Sequence, residues 1–267
     1  MLIDIHAHFY SELSGRADWV AVNNARIEAG RRIGVTAHVA SILGTWGARS
    51  PTYFPSSHDV SHANDRMVDL TRAHRNVLGY CVVNPNYTAH ALQEIEKRAE
   101  QGMVGIKLAA SRRADAELVD PIAAMARECG LPILHHVWHH RRRDWPGQEA
   151  SDAVELAGLA ERHPNTQFIM AHLGGGGDWA HSLRVVRYGT NIWIDLSGSG
   201  VDVDMLDAAL AVIGPDRLLW GADVTLDTGW AKLRYLESTG LTTAELDSIK
   251  FGNACQIFPD GAFDDCD

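Results

Sequence analysis

The sequence predicts a single (β/α)8 barrel. Short β-branched runs alternate with helical patterns along the whole chain, eight such runs can be counted, and most are continuously apolar, as strands buried on both faces must be. The 267 residues suit one barrel of about 250 residues and leave little over. No Pro/Gly linker divides the chain, so residues 1–267 read as one domain. A doubly wound sheet would want a glycine-rich turn after the first strand, and His6-Ala7-His8-Phe9-Tyr10 offers none.

The eight predicted strands are residues 2–8, 35–43, 77–84, 104–109, 132–138, 166–172, 192–197 and 217–223. Helices are expected between them. Residues 64–75 carry Met67, Val68 and Leu70, and residues 89–100 carry Leu92, Ile95 and Ala99. Residues 120–129 open with Pro121 in the first turn, where a missing N–H costs nothing, and stop at Gly130. Residues 151–162 are rich in Ala and Leu and end before His163-Pro164. Thr242 and Glu245 have the spacing of a capping box. Long connections at 44–61 and 141–150 leave the carboxyl ends of strands 2 and 5, where barrels build their sites.

Composition narrows the function. Lys plus Arg is 24 against 34 Asp plus Glu, a net charge of −10 with no overall attraction for phosphate backbones, so nucleic acid is not an expected partner. No apolar run approaches the ~18 residues of a membrane span. The opening Met-Leu-Ile-Asp puts a carboxylate where a signal peptide carries positive charge. Cys81, Cys129, Cys255 and Cys266 lie far apart without a C-x-x-C. The expected setting is therefore the reducing cytoplasm. The expected partner is a small-molecule substrate, with a second copy of the chain as a further possibility for an acidic barrel.

The unusual count is 14 histidines. His6 and His8 sit at i and i+2 on strand 1, so they share a face near its carboxyl end. Two adjacent imidazoles repel if both are protonated, and a metal ion resolves that because neutral imidazole is a preferred ligand. The other polar residues fall at the same ends: Lys107 on strand 4, His135 or His136 on strand 5, His172 on strand 6 and Asp223 on strand 8. A buried Asp is costly alone and not beside a divalent cation. Alternation allows either His135 or His136 to face inward, and it leaves Asp195 and Ser197 of strand 7 open to either face.

His6-x-His8, the strand-5 histidine, His172-Leu173-Gly174-Gly175-Gly176-Gly177, Asp223 in Trp220-Gly221-Ala222-Asp223, and the closing 252–258 stretch from Gly252-Asn253-Ala254 to Phe258 resemble the amidohydrolase superfamily. The similarity is to its amidohydrolase-related, aminocarboxymuconate-semialdehyde-decarboxylase-like branch. The resemblance implies His6, His8 and Asp223 as metal ligands, and His136 as the strand-5 ligand, four residues after Pro132 and followed by Val137-Trp138. It implies His172 as a catalytic histidine or second-metal ligand, Asp223 as a proton acceptor as well, and Lys107 as the lysine that two-metal members carboxylate and use as a bridge. The implied cofactor is one or two divalent ions of the Zn2+ class, which would bring the pKa of a water from ~15.7 to about 7. The implied activity is hydrolysis of an amide, lactone or related ester. The alternatives are non-oxidative decarboxylation of a small unsaturated or aromatic acid, a barrel that binds a ligand without catalysis, and a metal-free lactonase. Asp223-Val224-Thr225 and Asp178-Trp179 depart from the family's usual continuations, so the reaction does not transfer with the fold.

Near the expected mouth, Arg112 could hold a substrate carboxylate, as could Arg141-Arg142-Arg143, and Trp138 with Trp46 could form an aromatic wall. His38 is expected to be packed or paired with a helix. His58, His62, His74, His90, His163 and His181 are expected to be solvated.

Overall fold

The computed structural model describes residues 1–44, 53–139, 147–200 and 202–266. Trp46, His140 and Arg141-Arg142-Arg143 lie outside them. The chain alternates β1 (Ile3–His8), α1 (Trp19–Arg32), β2 (Ala37–Ser41), α2 (Ser57–Ala73), β3 (Val77–Val83), α3 (Thr88–Glu100), β4 (Gly105–Leu108), α4 (Asp120–Glu128), β5 (Ile133–His135), α5 (Ala153–Arg162), β6 (Phe168–Met170), α6 (Trp179–Val186), β7 (Ile192–Asp195), α7 (Val203–Ile213), β8 (Leu218–Leu219) and α8 (Leu226–Ser238). Two short helices, α9 (Thr243–Asp247) and α10 (Asn253–Ile257), follow. All strand pairs are parallel, in the order β1 to β8. The ring closes where the Ile5 amide donates to the Trp220 carbonyl (3.2 Å) and Ala7 bridges Asp223. This is the predicted (β/α)8 barrel. Among the described residues, no helix is long and apolar enough to cross a membrane.

Two buried clusters divide the strands by face. Ile3, Ile5, Ala37, Val39, Tyr80, Leu134, Ile169, Trp193 and Leu219 fill the barrel. Their neighbours Ile106, Ile133, Phe168, Ile192 and Leu218 face the helices. Phe258, Phe263 and Cys266, beyond α10, pack on the interior cluster. The Tyr80 ring lies 6.0 Å from that of Phe258, and its hydroxyl donates to the Ile5 carbonyl at 2.7 Å.

The elements differ from the sequence expectation in three ways. Helix α2 begins at Ser57, inside the expected 44–61 connection, because the Ser56 hydroxyl caps it by accepting from the Asp59 amide. Helix α1 escapes periodicity because it buries only Asn23 and Gly30 fully. Strands β5, β6 and β8 are shorter than expected. His136, His172 and Asp223 therefore stand beyond the regular ladders, and local backbone conformation aims them.

Candidate metal centre

Strict alternation would put His6 on the helix side. Ile3 and Ile5 point into the barrel, while Asp4 turns outward to Arg26 (3.0 Å) and His38 (2.9 Å). Between Asp4 and Ala7 the register against β2 slips by one, from Asp4↔His38 to Ala7↔Ala40. This bulge inserts one residue and re-aims everything after it. Ala7 then faces the helices, and the His6 and His8 rings meet edge-on with centroids 5.0 Å apart. Their Nε2 atoms are 3.2 Å apart, and Asp223 Oδ1 lies 3.1 Å from the His8 Nε2 and 3.7 Å from the His6 Nε2. A circle through these three atoms has a radius of about 1.9 Å, close to the ~2.0–2.2 Å at which imidazole nitrogen and carboxylate oxygen bind zinc-class ions. Among the described residues they are the only three-donor group of this compactness.

His172 and Asp223 are the two described non-glycine residues with left-handed backbone, at φ 36° and 59°. Such conformations are costly and cluster where function over-determines them. Ala171 belongs to the interior cluster, so alternation would turn His172 outward. The left-handed turn instead stacks its ring 5.8 Å from His6. Gly175 makes the fit possible, since a Cβ there would stand 2.2 Å from the His172 Nδ1. Gly198, at φ 95°, seats the β7 loop against the same corner, its Cβ position 2.9 Å from Gly174 backbone.

At β5 the two histidines part. His135 is buried against backbone and Ser151, its Nδ1 2.9 Å from the His136 carbonyl. His136 reaches the cavity, with Nδ1 3.0 Å from the His172 Nε2 and its ring 4.6 Å from that of His172. The His136 Nε2 and the His172 Nδ1 are buried with no hydrogen-bond partner. Such atoms are rare unless a ligand, water or ion serves them. Lys107, 1% exposed, points its Nζ at the His6 Nε2 from 2.9 Å.

Burial sets the charges. It holds His8 down to about 4 and His172 to about 3, and it pushes His136 well below the ordinary imidazole range. Burial would raise the Asp223 carboxyl, but His6, His8 and His172 around it override that and hold it far below the usual carboxylate range. Burial also lowers Lys107 to about 8. At neutral pH the His8, His136 and His172 imidazoles and the Asp223 carboxylate are thus in the deprotonated forms that bind a divalent cation. The donor chemistry and the three-atom spacing fit such an ion.

His8, Lys107, His136, Trp138, His172 and Asp223 share one cavity of about 170 Å³, with Phe9, Tyr10 and Tyr53 on its walls. Trp138 lies nearly parallel to His136, at 15° and 6.4 Å. Among the described lining residues, Lys107 carries the only formal positive charge. Arg112 does not line the cavity. Its guanidinium is bound to the Asn86 side-chain oxygen and faces Glu149 at 3.3 Å. His38 pairs with Asp4, as a packed histidine should, whereas His139, in the loop after β5, is buried with Nδ1 2.7 Å from the Ser182 hydroxyl.

Two groups about the site were not assigned from sequence. Asp195, whose facing alternation left open, lies 2.7 Å from the His6 Nδ1. Lys232 is 2% exposed and donates to the Ser197 and Gly198 carbonyls at 2.9 and 2.6 Å. Its signal was available: it shares the buried stripe of α8 with Gly229, Leu233 and Leu236, where an unpaired lysine would not be tolerated.

Solved structures share this fold at low identity. A 5-carboxyvanillate decarboxylase from Sphingomonas paucimobilis aligns with TM-score 0.70 and 17% identity over 96% of this chain and 98% of its own. A dihydroxybenzoic acid decarboxylase from Polaromonas, with bound manganese and 2-nitroresorcinol, aligns with TM-score 0.71 and 17% identity over 96% of each chain. The 4-oxalomesaconate hydratase of Rhodopseudomonas palustris aligns with TM-score 0.71 and 18% identity over 99% of this chain and 97% of its own. A search of curated proteins found no match. The family model described as Amidohydrolase matches residues 3–259, nearly the whole chain, and the protein belongs to that family.

Proposed function

We propose that the protein is a metal-dependent hydrolase of a small amide, lactone or related ester. The observation that carries this reading is the triangle of His6, His8 and Asp223 donor atoms, of which His8 and Asp223 line one cavity together with His172. A divalent ion held by His6, His8 and Asp223, with the unpartnered His136 Nε2 as a further donor, would supply a Lewis acid that polarises a carbonyl and acidifies a water. Zinc is the ion expected for nitrogen and oxygen donors, and manganese, which the Polaromonas decarboxylase binds, suits them as well. The residues do the rest. Asp223 and His172 both arrive as proton acceptors at neutral pH, so either can take a proton from an attacking water and return it to the leaving group. Phe9, Tyr10, Tyr53 and Trp138 exclude solvent and present flat apolar walls to the substrate. A cytoplasmic setting fits Cys81, Cys129 and Cys255, which form no disulfide among the described residues.

The aromatic lining and the buried Lys107 cation favour a second reading, decarboxylation of a small conjugated acid, with Lys107 as the counter-ion of the carboxylate. The metal-loaded enzyme, assayed in 18O-water on a panel of lactones, amides and aromatic acids, separates the two. Hydrolysis places 18O in the product acid. Decarboxylation releases CO2 and places none. Activity that survives complete removal of divalent ions overturns both.

A further inference from the structure

Asp195 ends β7 with a fully buried carboxylate whose capacity as an acceptor is filled. Its Oδ2 accepts from the His6 Nδ1 (2.7 Å), the Ser197 hydroxyl (2.6 Å) and the His172 backbone amide (2.9 Å), and its Oδ1 accepts from the Ser197 amide (2.9 Å). Gly221 leaves room for it, since a Cβ there would stand 2.7 Å from Oδ1. A carboxylate has only lone pairs to offer, so the His6 Nδ1 must carry the proton. The His6 Nε2 then presents its lone pair towards His8 and Asp223. Lys107 on the other side of the ring agrees, because an ammonium on Nε2 at 2.9 Å has only protons to give. The same carboxylate oxygen holds the amide of a residue whose backbone is left-handed, and so sets where the His172 ring stands.

We propose that Asp195 is the positioning residue of this centre: a single carboxylate fixes the tautomer of the metal ligand His6 and the strained backbone of His172. Ligand and proton carrier are thereby locked in register with one another. Lys232 braces the arrangement from behind, holding the carbonyls of Ser197 and Gly198 while the Gly174 amide donates to Ser197 at 3.1 Å. Outer partners of this kind are typically worth 10- to 100-fold in metal affinity. The proposal rests on the metal-dependent reading above, and its test separates the two.

Long-range 15N–1H correlation on the metal-free native chain reads the His6 tautomer directly, and amide exchange reads the His172 N–H. The expected result is Nδ1–H at His6 and a protected amide at His172. Mn2+ titration by calorimetry should then show Asp195→Asn and Asp195→Ala binding 10- to 100-fold more weakly than the native chain, with the fold checked by circular dichroism. In Asp195→Asn the side-chain amide can donate to Nδ1, which moves the proton to Nε2. An Nε2–H tautomer in the native chain, or native Mn2+ affinity in a folded Asp195→Asn, overturns the proposal. A native chain that takes up no Mn2+ sinks the metal-dependent reading instead, and the tautomer and amide measurements still decide the role of Asp195.

Discussion

Asp4→Asn tests whether the base of β1 is held by a buried charge. The Asp4 carboxylate is fully buried and takes four donors: the Arg26 guanidinium at 3.0 Å, His38 Nδ1 at 2.9 Å, and the amides of Ala222 at 2.9 Å and His6 at 3.3 Å. Asparagine keeps the volume and one acceptor oxygen, so the two amides lose little. His38 can change tautomer to accept from the new NH2 group. Arg26 cannot adapt. Its side chain is 8% exposed, it has no protons to shed, and it is left as a buried cation facing a donor. Breaking a buried pair in this way costs about 3–5 kcal/mol. For a chain of this size each kcal/mol is roughly 2–4 °C, so Tm should fall by about 10 °C in differential scanning fluorimetry. The pH dependence follows from the same contacts. Burial pushes the Asp4 carboxyl up, but His38 and Arg26 override it and hold it below its unfolded value of 3.8. The native state therefore binds this proton less readily than the unfolded chain. The stabilisation is complete above the unfolded pKa and is lost as pH falls through the folded one. The gap between native and Asp4→Asn should be flat from pH 8 to about 5 and close below about 4. Arg26→Met added to Asp4→Asn should recover part of the loss. A Tm change under about 2 °C, or a gap that widens in acid, refutes the reasoning.

Three further outcomes are expected. His172→Asn should lower turnover by about 10²- to 10⁴-fold while leaving the melting profile near native, and a change under about tenfold would remove His172 from proton transfer. Stripping divalent ions should lower Tm, and restoring Zn2+ or Mn2+ at a hundred times its Kd should return about 2.7 kcal/mol, read as a concentration-dependent Tm that His8→Ala abolishes. Gly198→Ala should destabilise by about 1–3 kcal/mol in urea unfolding, because its Cβ would meet Gly174 backbone at 2.9 Å and its φ of 95° excludes L side chains.

Much of this was legible from residue order. The eight strands, the His6-x-His8 pair and the placement of His136, His172 and Asp223 after β5, β6 and β8 follow from patterns that depend only on neighbours along the chain. Arg112 shows the limit. A guanidinium just past a strand looks like a substrate clamp, yet its partners are Asn86 and Glu149, and Glu149 lies 37 residues away. Asp195 shows it from the other side: its facing was open, and the three donors on its Oδ2 come from β1, from just past β6 and from its own chain two residues on.

Local periodicity by itself determined that this chain is a barrel and which residue types stand at its mouth, because burial on both strand faces and the turn chemistry between elements are written in short windows of sequence. Only the tertiary structure decided which way those residues point. The slip between Asp4 and Ala7, the left-handed backbone at His172 and the single carboxylate linking His6 to His172 each depend on groups far apart in the chain. Their stabilisation comes from long-range contacts, and no pattern of near neighbours encodes those.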